Sequence, residues 1–165
     1  MSKVALVELS KENWEAVAAL KVHPHQESFI ASNLWTIAES QFYPWTHRRV
    51  ILAHGQVVGF AVYGTMPGDD QMWLHRFMVS ADEQQSGIGR TALRLLIGVW
   101  RQIEGLTNVK LSYTPGNEIA ERLYVSEGFV PGEMADWGER IATLDLSALP
   151  AAQRSDDTSP FPDPE

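Results

Sequence analysis

Cysteine is absent from the 165-residue chain. This absence excludes a disulfide framework, a thiolate metal site and a cysteine nucleophile. Long apolar runs are absent as well: no stretch approaches the roughly 20 apolar residues that a membrane-spanning helix needs, and the first residues lack the apolar segment of a secretory signal peptide. We therefore expect a cytoplasmic protein that does not insert into a membrane.

Basic residues are scarce relative to acidic ones. The chain has 13 Lys and Arg against 21 Asp and Glu, a formal net charge of -8 and a pI near 5.1. Because a polyanion is bound mainly through Lys and Arg, this balance argues against nucleic acid as a partner and agrees better with a cationic one. His23 and His25 flank Pro24, but two histidines without a clear third ligand do not make a metal site, so we expect no metal.

The composition predicts one globular domain followed by a short tail. Hydrophobic residues make up 44% of the chain, which is enough for a core of ordinary size. The last residues are rich in proline and acid and hold few large apolar side chains, a composition that does not offset the entropy lost on ordering. We expect a single domain over residues 1–149 and a flexible tail over residues 150–165.

Hydrophobic periodicity predicts an α/β fold with a mixed sheet. Strands are expected at 4–9, 49–54, 57–65, 71–79, 108–113, 129–134 and 139–146, and helices at 14–20, 30–41, 88–103 and 117–127. The helix over 88–103 is amphipathic. Its expected apolar face consists of Ile88, Ala92, Leu95, Leu96, Val99 and Ile103.

The sharpest chemical signal is the junction between the strand at 71–79 and the helix at 88–103, which reads Gln84-Gln85-Ser86-Gly87-Ile88-Gly89-Arg90. Gly87 and Gly89 permit a tight turn and a close approach of backbone N–H groups to an anion, and the following helix presents its positive end there. The junction has neither the GK[ST] ending of the Walker pattern nor the three glycines of the dinucleotide fingerprint. It predicts either a pyrophosphate cradle or a plain tight turn.

Two linked motifs resemble a known family. Gln84-x-x-Gly87-x-Gly89 after a strand resembles the acyl-CoA-binding signature of the GNAT superfamily of N-acetyltransferases, and Asn117-x-x-Ala120-x-x-Leu123-Tyr124-x-x-x-Gly128-Phe129 resembles its second motif at the usual distance. The likeness covers residues 4 to about 146. Residues 58–64 and the segment Trp73-Leu74-x-Arg76-Phe77 are similar, more narrowly, to bacterial spermine/spermidine acetyltransferases.

The resemblance implies a fold and a cosubstrate. The central sheet would be GNAT-type, mixed but mostly antiparallel, splayed after the fourth strand and flanked by helices. Acetyl-CoA would lie in the gap, with its pantetheine arm bonded to the backbone of the fourth strand, where a backbone N–H would also stabilise the oxyanion. Asn117 either only caps its helix or also meets the pantetheine. The implied cofactor-binding residues are Phe77, Met78, Val79, Gln84, Gln85, Ser86, Gly87, Ile88, Gly89, Arg90 and Asn117.

The resemblance also implies catalytic residues. Tyr124 stands where the superfamily carries a tyrosine near the CoA sulfur, and a phenol with a pKa of about 10 can donate a proton or a hydrogen bond to the departing thiolate. Taken alone, the same tyrosine is core or rim packing. His75 is the first candidate for the base, because an imidazole with a pKa of about 6.5 suits proton removal near neutrality. Relatives that acetylate polyamines carry an acid at this place, so a purely structural histidine is the alternative.

Substrate contacts are expected from the segments after the first helix and before the fourth strand, where acids offer negative charge and aromatic rings offer cation-π contacts. These residues are Glu27, Glu39, Asp69, Asp70, Trp35, Tyr43 and Trp73. The predicted reaction is acetyl transfer from acetyl-CoA to a primary amine of a polyamine, by direct attack in a ternary complex. The alternatives are an aminoglycoside-like antibiotic, an amino acid or a protein N-terminus as acceptor, and a noncatalytic acyl-CoA sensor. A homodimer is expected because members of this family often form dimers. Trp137, between the last two predicted strands, is a candidate for the interface.

Overall fold

A computed structural model describes residues 3–147 of the chain. The expected tail over residues 150–165 and the last two residues of the predicted domain lie outside this range. Seven strands form one sheet in the order β1-β2-β3-β4-β5-β7-β6. The strands are β1 (Val4–Glu8), β2 (Thr46–Ala53), β3 (Gln56–Thr65), β4 (Met72–Val79), β5 (Asn108–Tyr113), β6 (Val130–Met134) and β7 (Arg140–Asp145).

Four helices accompany the sheet in the predicted chain order. They are α1 (Trp14–Ala19), α2 (Asn33–Ser40), α3 (Ile88–Arg101) and α4 (Glu118–Ser126), with short 3-10 turns at Pro24–Gln26 and Ala81–Glu83. Buried side chains of α3 and α4 share one core cluster with the sheet, whereas α1 and α2 contribute to a second, smaller cluster built on Val50, Phe60 and Met78. The predicted α/β class and the mostly antiparallel sheet are confirmed.

Two predicted boundaries shift for local reasons. The helix expected from residue 30 begins at Asn33, because the hydroxyl of Ser32 caps it by accepting a hydrogen bond from the Trp35 amide at 3.2 Å. The strand expected from residue 49 begins at Thr46, because its polar first residues already pair with β3. Side-chain polarity did not indicate this extension, since the pairing is made by the backbone.

The predicted apolar face of α3 is partly wrong. Ile88, Ala92 and Leu96 are buried as expected, but the rest of the buried face is made by Leu93, Ile97 and Trp100. The residues expected in their place lie further round the helix or beyond it: Leu95 and Val99 are half-buried, and Ile103 follows the last helical residue. Trp100 packs edge-on against Tyr63 of β3 with 5.6 Å between ring centroids, and this contact turns that side of α3 toward the sheet.

The sheet opens between its fourth and fifth strands. β4 and β5 run parallel and pair only where Met72–Leu74 face 109–111, at the start of β4. Residues 76–79 of β4 pair with β3 on one side and have no strand partner on the other. β7 then inserts between β5 and β6, which continues the second arm of the sheet. The splay predicted after the fourth strand is therefore present, and it leaves peptide groups of β4 facing a gap.

A β-bulge interrupts β4 within this gap. The register with β3 shifts between Val62 and Tyr63, which pair with Arg76 and Leu74, so that His75 is the extra residue. A bulge bends its strand and redirects the side chains beside it. In the part of the chain that the structure describes, no helix has the length and apolar character needed to cross a membrane.

Candidate active site

The gap between β4 and β5 forms a cavity with a volume of about 1490 Å³. Its walls come from β4, from the junction before α3, from the end of β5, from one side of α4 and from the hairpin of β6 and β7. Residues distant in sequence meet here because the splay separates two arms of one sheet. The space exceeds the 300 to 1000 Å³ that is typical, in order of magnitude, of a small-molecule pocket, so it has room for an elongated ligand and a second one.

The junction before α3 carries backbone amides that the protein itself does not use. Gly87, at the N-cap of α3, has a φ of 85°, and Gln85 has a φ of 61°, so the chain turns sharply at both. Within residues 3–147, the backbone N–H groups of residues 85–90 donate no hydrogen bond, and no side chain caps the helix. Free N–H groups together with the positive end of a 14-residue helix favour an anion at this place.

The side chains of the junction divide between the cavity and the protein. Gln84, Gln85, Gly87, Gly89 and Arg90 line the cavity. Ser86 donates its hydroxyl hydrogen to the Glu83 carbonyl, and Ile88 is buried in the core. The prediction for these two residues concerns their backbone amides, which remain without a partner in the described chain.

Gln84 fixes the junction to its surroundings. Its side-chain amide exchanges two hydrogen bonds with that of Gln26, at 2.8 and 3.0 Å, and also donates to the Val79 carbonyl at 3.0 Å. The loop after α1, the end of β4 and the start of the junction are thereby tied together. Sequence reasoning did not identify Gln26, because no local pattern marks a partner 58 residues away.

Arg90 is positioned by an ion-pair network. Its Nε lies 3.2 Å from Oε1 of Glu127, and its Nη2 donates to the Ser126 hydroxyl at 3.2 Å. Arg94 holds the same carboxylate through a second ion pair at 2.8 Å. The network joins the start of α3 to the end of α4, and it places one guanidinium beside the free amides of the junction.

The far end of β4 forms the floor of the cavity. Phe77, Met78 and Val79 all line it, as the predicted pantetheine contacts require. Because β5 has diverged, peptide groups on that side of β4 have no strand partner and are available to a ligand, apart from the Val79 carbonyl that accepts from Gln84. Asn117 also lines the cavity, and its side-chain oxygen caps α4 by accepting from the Ala120 amide at 3.4 Å.

Tyr124 reaches the cavity from inside the core. Its ring packs against Tyr113 and Phe129, with centroid distances of 6.1 and 5.8 Å, and the residue is only 8% exposed. Burial, assisted by the negative charge of Glu139, raises the pKa of the phenol above its ordinary value of 10.0. The phenol therefore keeps its proton throughout the neutral range. The side chain serves as packing and as a cavity wall at once, so the two sequence interpretations are compatible.

His75, the bulged residue of β4, lines the same cavity. Its ring packs edge-on against Trp45 at 5.3 Å, and its Nε2 is buried without a hydrogen-bond partner among residues 3–147. Burial, and then the positive charge of Arg76, lower the pKa of the imidazole below 6.5, while a hydrogen bond with the backbone of Gly64 and the charge of Glu39 act in the opposite direction. The ring is therefore neutral near pH 7 and has an unoccupied nitrogen.

Only some of the residues predicted to contact the substrate line the cavity. Asp69 and Trp73 line the cavity, whereas Glu27, Trp35 and Tyr43 are exposed and lie outside its lining. Two further predicted acids do not line it either and are engaged with other side chains: Glu39 lies 3.4 Å from Nη2 of Arg76, and Asp70 accepts a hydrogen bond from Gln71 at 2.8 Å. Substrate binding by these residues stays a prediction.

The β6–β7 hairpin supplies residues that sequence reasoning did not assign to the site. Glu139 lies in the cavity, where its carboxylate accepts hydrogen bonds from Ser112 of β5 and from the indole of Trp137. Trp137 was expected at a dimer interface, and the structure places it at the cavity wall, 63% exposed. The pairing of β5 with β7 brings these residues together, and no sequence motif signals that register. No group of three or more His, Cys, Asp or Glu among residues 3–147 is placed to hold a metal ion.

Comparison with known proteins agrees with this geometry. The model of the acetyltransferase (GNAT) family matches residues 6–129. A spermine/spermidine N(1)-acetyltransferase of Bacillus subtilis is 28% identical over 145 residues, which cover 84% of this chain and 95% of that protein.

Solved structures share the fold at lower identity. Spermidine N-acetyltransferase from Vibrio cholerae, in complex with CoA and spermine, has a TM-score of 0.70 and 15% identity, covering 87% of this chain and 96% of that one. An aminoglycoside acetyltransferase in complex with coenzyme A has a TM-score of 0.74 and 14% identity, covering 88% and 96%. The chain belongs to the acetyltransferase (GNAT) family and is an acetyl-CoA-dependent N-acetyltransferase.

Proposed function

We propose that the protein transfers the acetyl group of acetyl-CoA to a primary amine of a polyamine such as spermidine or spermine, by direct attack in a ternary complex. The observation that carries the proposal is one cavity in which free amides of the α3 junction, the unpaired edge of β4 and Tyr124 all meet. Three parts of acetyl-CoA match these features in the same order: its pyrophosphate suits the free amides, its extended arm with amide groups suits the strand edge, and its thioester suits the position of Tyr124.

The residues of the cavity offer a partner for each part of acetyl-CoA. The amides of residues 85–90 hold the pyrophosphate, and Arg90 adds positive charge beside them. The backbone of Phe77, Met78 and Val79 binds the pantetheine arm, to which the amide nitrogen of Asn117 contributes while its oxygen caps α4. Bound acetyl-CoA supplies an activated acetyl group as a thioester.

Tyr124 acts as the proton donor to the departing sulfur. Its hydroxyl makes no hydrogen bond within residues 3–147, and burial raises its pKa, so the phenol keeps its proton before the reaction. The hydroxyl is therefore able to donate a hydrogen bond, or its proton, to the sulfur as negative charge develops there. The packing of the ring against Tyr113 and Phe129 fixes the direction of the hydroxyl, so little reorganisation is needed at the moment of reaction.

His75 receives the proton of the attacking amine, directly or through water. The amine attacks only when neutral, although its ordinary pKa is about 10.4. A neutral imidazole at the cavity wall is able to accept that proton at its Nε2, which is buried without a hydrogen-bond partner among residues 3–147, once the amine or a water reaches this nitrogen. Its lowered pKa makes it a weak base, so the amine must lose its proton close to the step of attack, and the rate should rise with pH through the neutral range.

The polyamine acceptor is supported by the named relative and by the net charge of the chain. The Bacillus subtilis protein is a spermine/spermidine N(1)-acetyltransferase, and its similarity extends over 84% of this chain. A net charge of -8 favours a polycation over an anionic acceptor. A homodimer, a cytoplasmic location and the lack of nucleic-acid partners stay predictions.

An amine panel tests the proposal. Calorimetry first measures acetyl-CoA binding, and a thiol-release assay then compares spermidine, spermine, an aminoglycoside, free amino acids and a peptide with a free N-terminus. We expect binding of acetyl-CoA and the highest kcat/KM with spermidine or spermine. Preference for another amine would overturn the polyamine acceptor, and binding without thiol release on any amine would favour the noncatalytic sensor.

A further inference from the structure

The carboxylate of Glu139 is held in a defined orientation inside the cavity. Its Oε2 accepts a hydrogen bond from the Ser112 hydroxyl at 2.6 Å and another from Nε1 of Trp137 at 3.1 Å. Its Oε1 has no partner in the part of the chain that the structure describes. One oxygen is therefore used to position the group, and the other is available to a ligand.

The negative charge of Glu139 is not neutralised by the protein. No Lys, Arg or His among residues 3–147 forms an ion pair with it, whereas the arginines along the cavity already have acidic partners. These pairs are Arg76 with Glu39, Arg90 with Glu127 and Arg122 with Glu118. The charge of Glu139 acts within the cavity, because it is one cause of the raised pKa of Tyr124.

Two indole rings flank this carboxylate. Trp73 of β4 and Trp137 both line the cavity, with 6.4 Å between their ring centroids. The face of an indole attracts an ammonium within about 6 Å of its centroid. Trp73 already shows this affinity within the protein, since Nζ of Lys110 lies 6.0 Å from its ring, although Lys110 does not line the cavity.

We propose that Glu139, Trp73 and Trp137 form a docking site for an ammonium group of the acceptor that does not react. A carboxylate raises the pKa of an ammonium beside it, so an amine held there stays protonated and cannot attack. Glu139 therefore binds a second cationic centre and selects acceptors that carry more than one. This assignment rests on the proposed function and supplies the negative charge that His75 lacks.

Ser112 and Trp137 act as positioning residues for this site. Both donate to the same oxygen of Glu139, which fixes the plane of the carboxylate and directs its second oxygen away from them. Charge-assisted hydrogen bonds of this kind are stronger than neutral ones. Loss of one donor should loosen the carboxylate without removing its charge.

The test compares two acceptors in four proteins: spermidine, with several cationic centres, and butylamine, with one. Glu139→Gln removes the charge but keeps an oxygen that accepts from Ser112 and Trp137. Because a hydrogen bond to a charged group contributes about 1.5 to 3 kcal/mol, we expect a 10- to 100-fold fall in kcat/KM for spermidine, mostly through KM. The kcat/KM for butylamine and the affinity for acetyl-CoA should stay within about two-fold of wild type.

Two further variants separate charge from position. Glu133→Gln, an exposed acid of β6 outside the cavity, should leave kcat/KM unchanged for both amines. Trp137→Phe keeps an aromatic ring but lacks the Nε1 donor, so we expect a smaller loss, of about 3- to 10-fold, for spermidine alone.

The outcomes distinguish this site from the function on which it rests. If the wild-type protein acetylates spermidine but Glu139→Gln does so equally well, the docking site is wrong and the proposed function stands. An equal loss of kcat with spermidine and butylamine, accompanied by a shifted pH profile, would make Glu139 a proton carrier and would also overturn the site. If the wild-type protein does not acetylate spermidine, both proposals fail together.

Discussion

Gly87→Ala tests the junction that we assign to the pyrophosphate. Gly87 has a φ of 85°, and a Cβ added there meets nothing within 4 Å. The substitution therefore causes no steric clash, and its cost is that of left-handed backbone, about 1 to 2 kcal/mol for a residue with a side chain. In a chain of this length, strain of this size lowers Tm by roughly 2 to 8 °C where the folded protein keeps it.

The chain offers a matched control for the same backbone change. Gly105, in the turn after α3, has a φ of 78°, has open space around its added Cβ and lies outside the cavity. Gly105→Ala should keep the strained turn, lose the full amount of roughly 2 to 8 °C in Tm and leave ligand binding unchanged. In Gly87→Ala, by contrast, the free junction relaxes from the strained conformation, so Tm falls less, and the junction must recover that conformation to bind acetyl-CoA.

The expected effect on binding follows from that strain. Recovering a conformation that costs 1 to 2 kcal/mol raises Kd by roughly 5- to 30-fold. Calorimetry with acetyl-CoA on both variants measures the difference, and thermal denaturation shows that both are folded. If Gly87→Ala loses less Tm than Gly105→Ala, which shows that its junction has relaxed, and yet the two variants bind acetyl-CoA with the same Kd, the junction does not carry the pyrophosphate and the reasoning is refuted.

Two further predictions concern the catalytic pair. Tyr124→Phe keeps the ring packing, so Tm and acetyl-CoA affinity should hardly change, while kcat at saturating substrates should fall about 10- to 1000-fold through loss of the proton donor. His75 has a pKa below 6.5 in the folded protein, so the unfolded chain binds more protons there, and its contribution to stability is lost as pH falls below about 6.5. Denaturant titrations should show the free energy of unfolding falling by up to about 1.4 kcal/mol per pH unit on the acid side. This slope should be smaller in His75→Gln. The slope should persist in His54→Asn, since His54 lies exposed in the β2–β3 turn.

Each of these predictions has a clear contrary result. An unchanged kcat in Tyr124→Phe would remove the phenol from the mechanism and leave it as packing. If the slope in His75→Gln were as large as in the wild-type protein, the buried imidazole would not couple folding to proton binding. A smaller slope is expected to remain in this variant, because burial also lowers the pKa of His47. For the base itself, His75→Gln should remove the acid-side limb of the kcat/KM profile below about pH 6.5, and an identical profile would point to a water chain instead.

The fold was predictable where local pattern determines structure. Alternating apolar residues indicated the strands, and helical spacing indicated the helices. The turn at His54 and Gly55, both with positive φ, joins the strands expected at 49–54 and 57–65. The face of α3 was not predictable to the same precision, because the contact between Trp100 and Tyr63 is made only once the sheet exists. A helix with apolar residues over a wide arc can bury more than one stripe, and the sheet selects among them.

The candidate site shows the same difference between local and long-range determinants. The junction at 84–90 lies in one continuous segment, so its glycines and its free amides could be anticipated from sequence. The place of Glu139 in the cavity could not be anticipated from sequence, because it depends on the register between β5 and β7 and on the length of the last hairpin. Trp35 and Tyr43 were expected near the substrate for their chemistry, but residues on one short helix and the turn after it cannot all face one cavity.

Hydrogen exchange at the junction tests the central claim most directly. The amides of residues 85–90 make no hydrogen bond within the described chain, so they should exchange quickly in the free protein. With saturating acetyl-CoA we expect exchange in this segment to slow by at least about tenfold, while a segment over residues 102–107 around Gly105 stays unchanged. Slow exchange at the junction in the free protein, or protection by acetyl-CoA elsewhere with none at residues 85–90, would contradict the account.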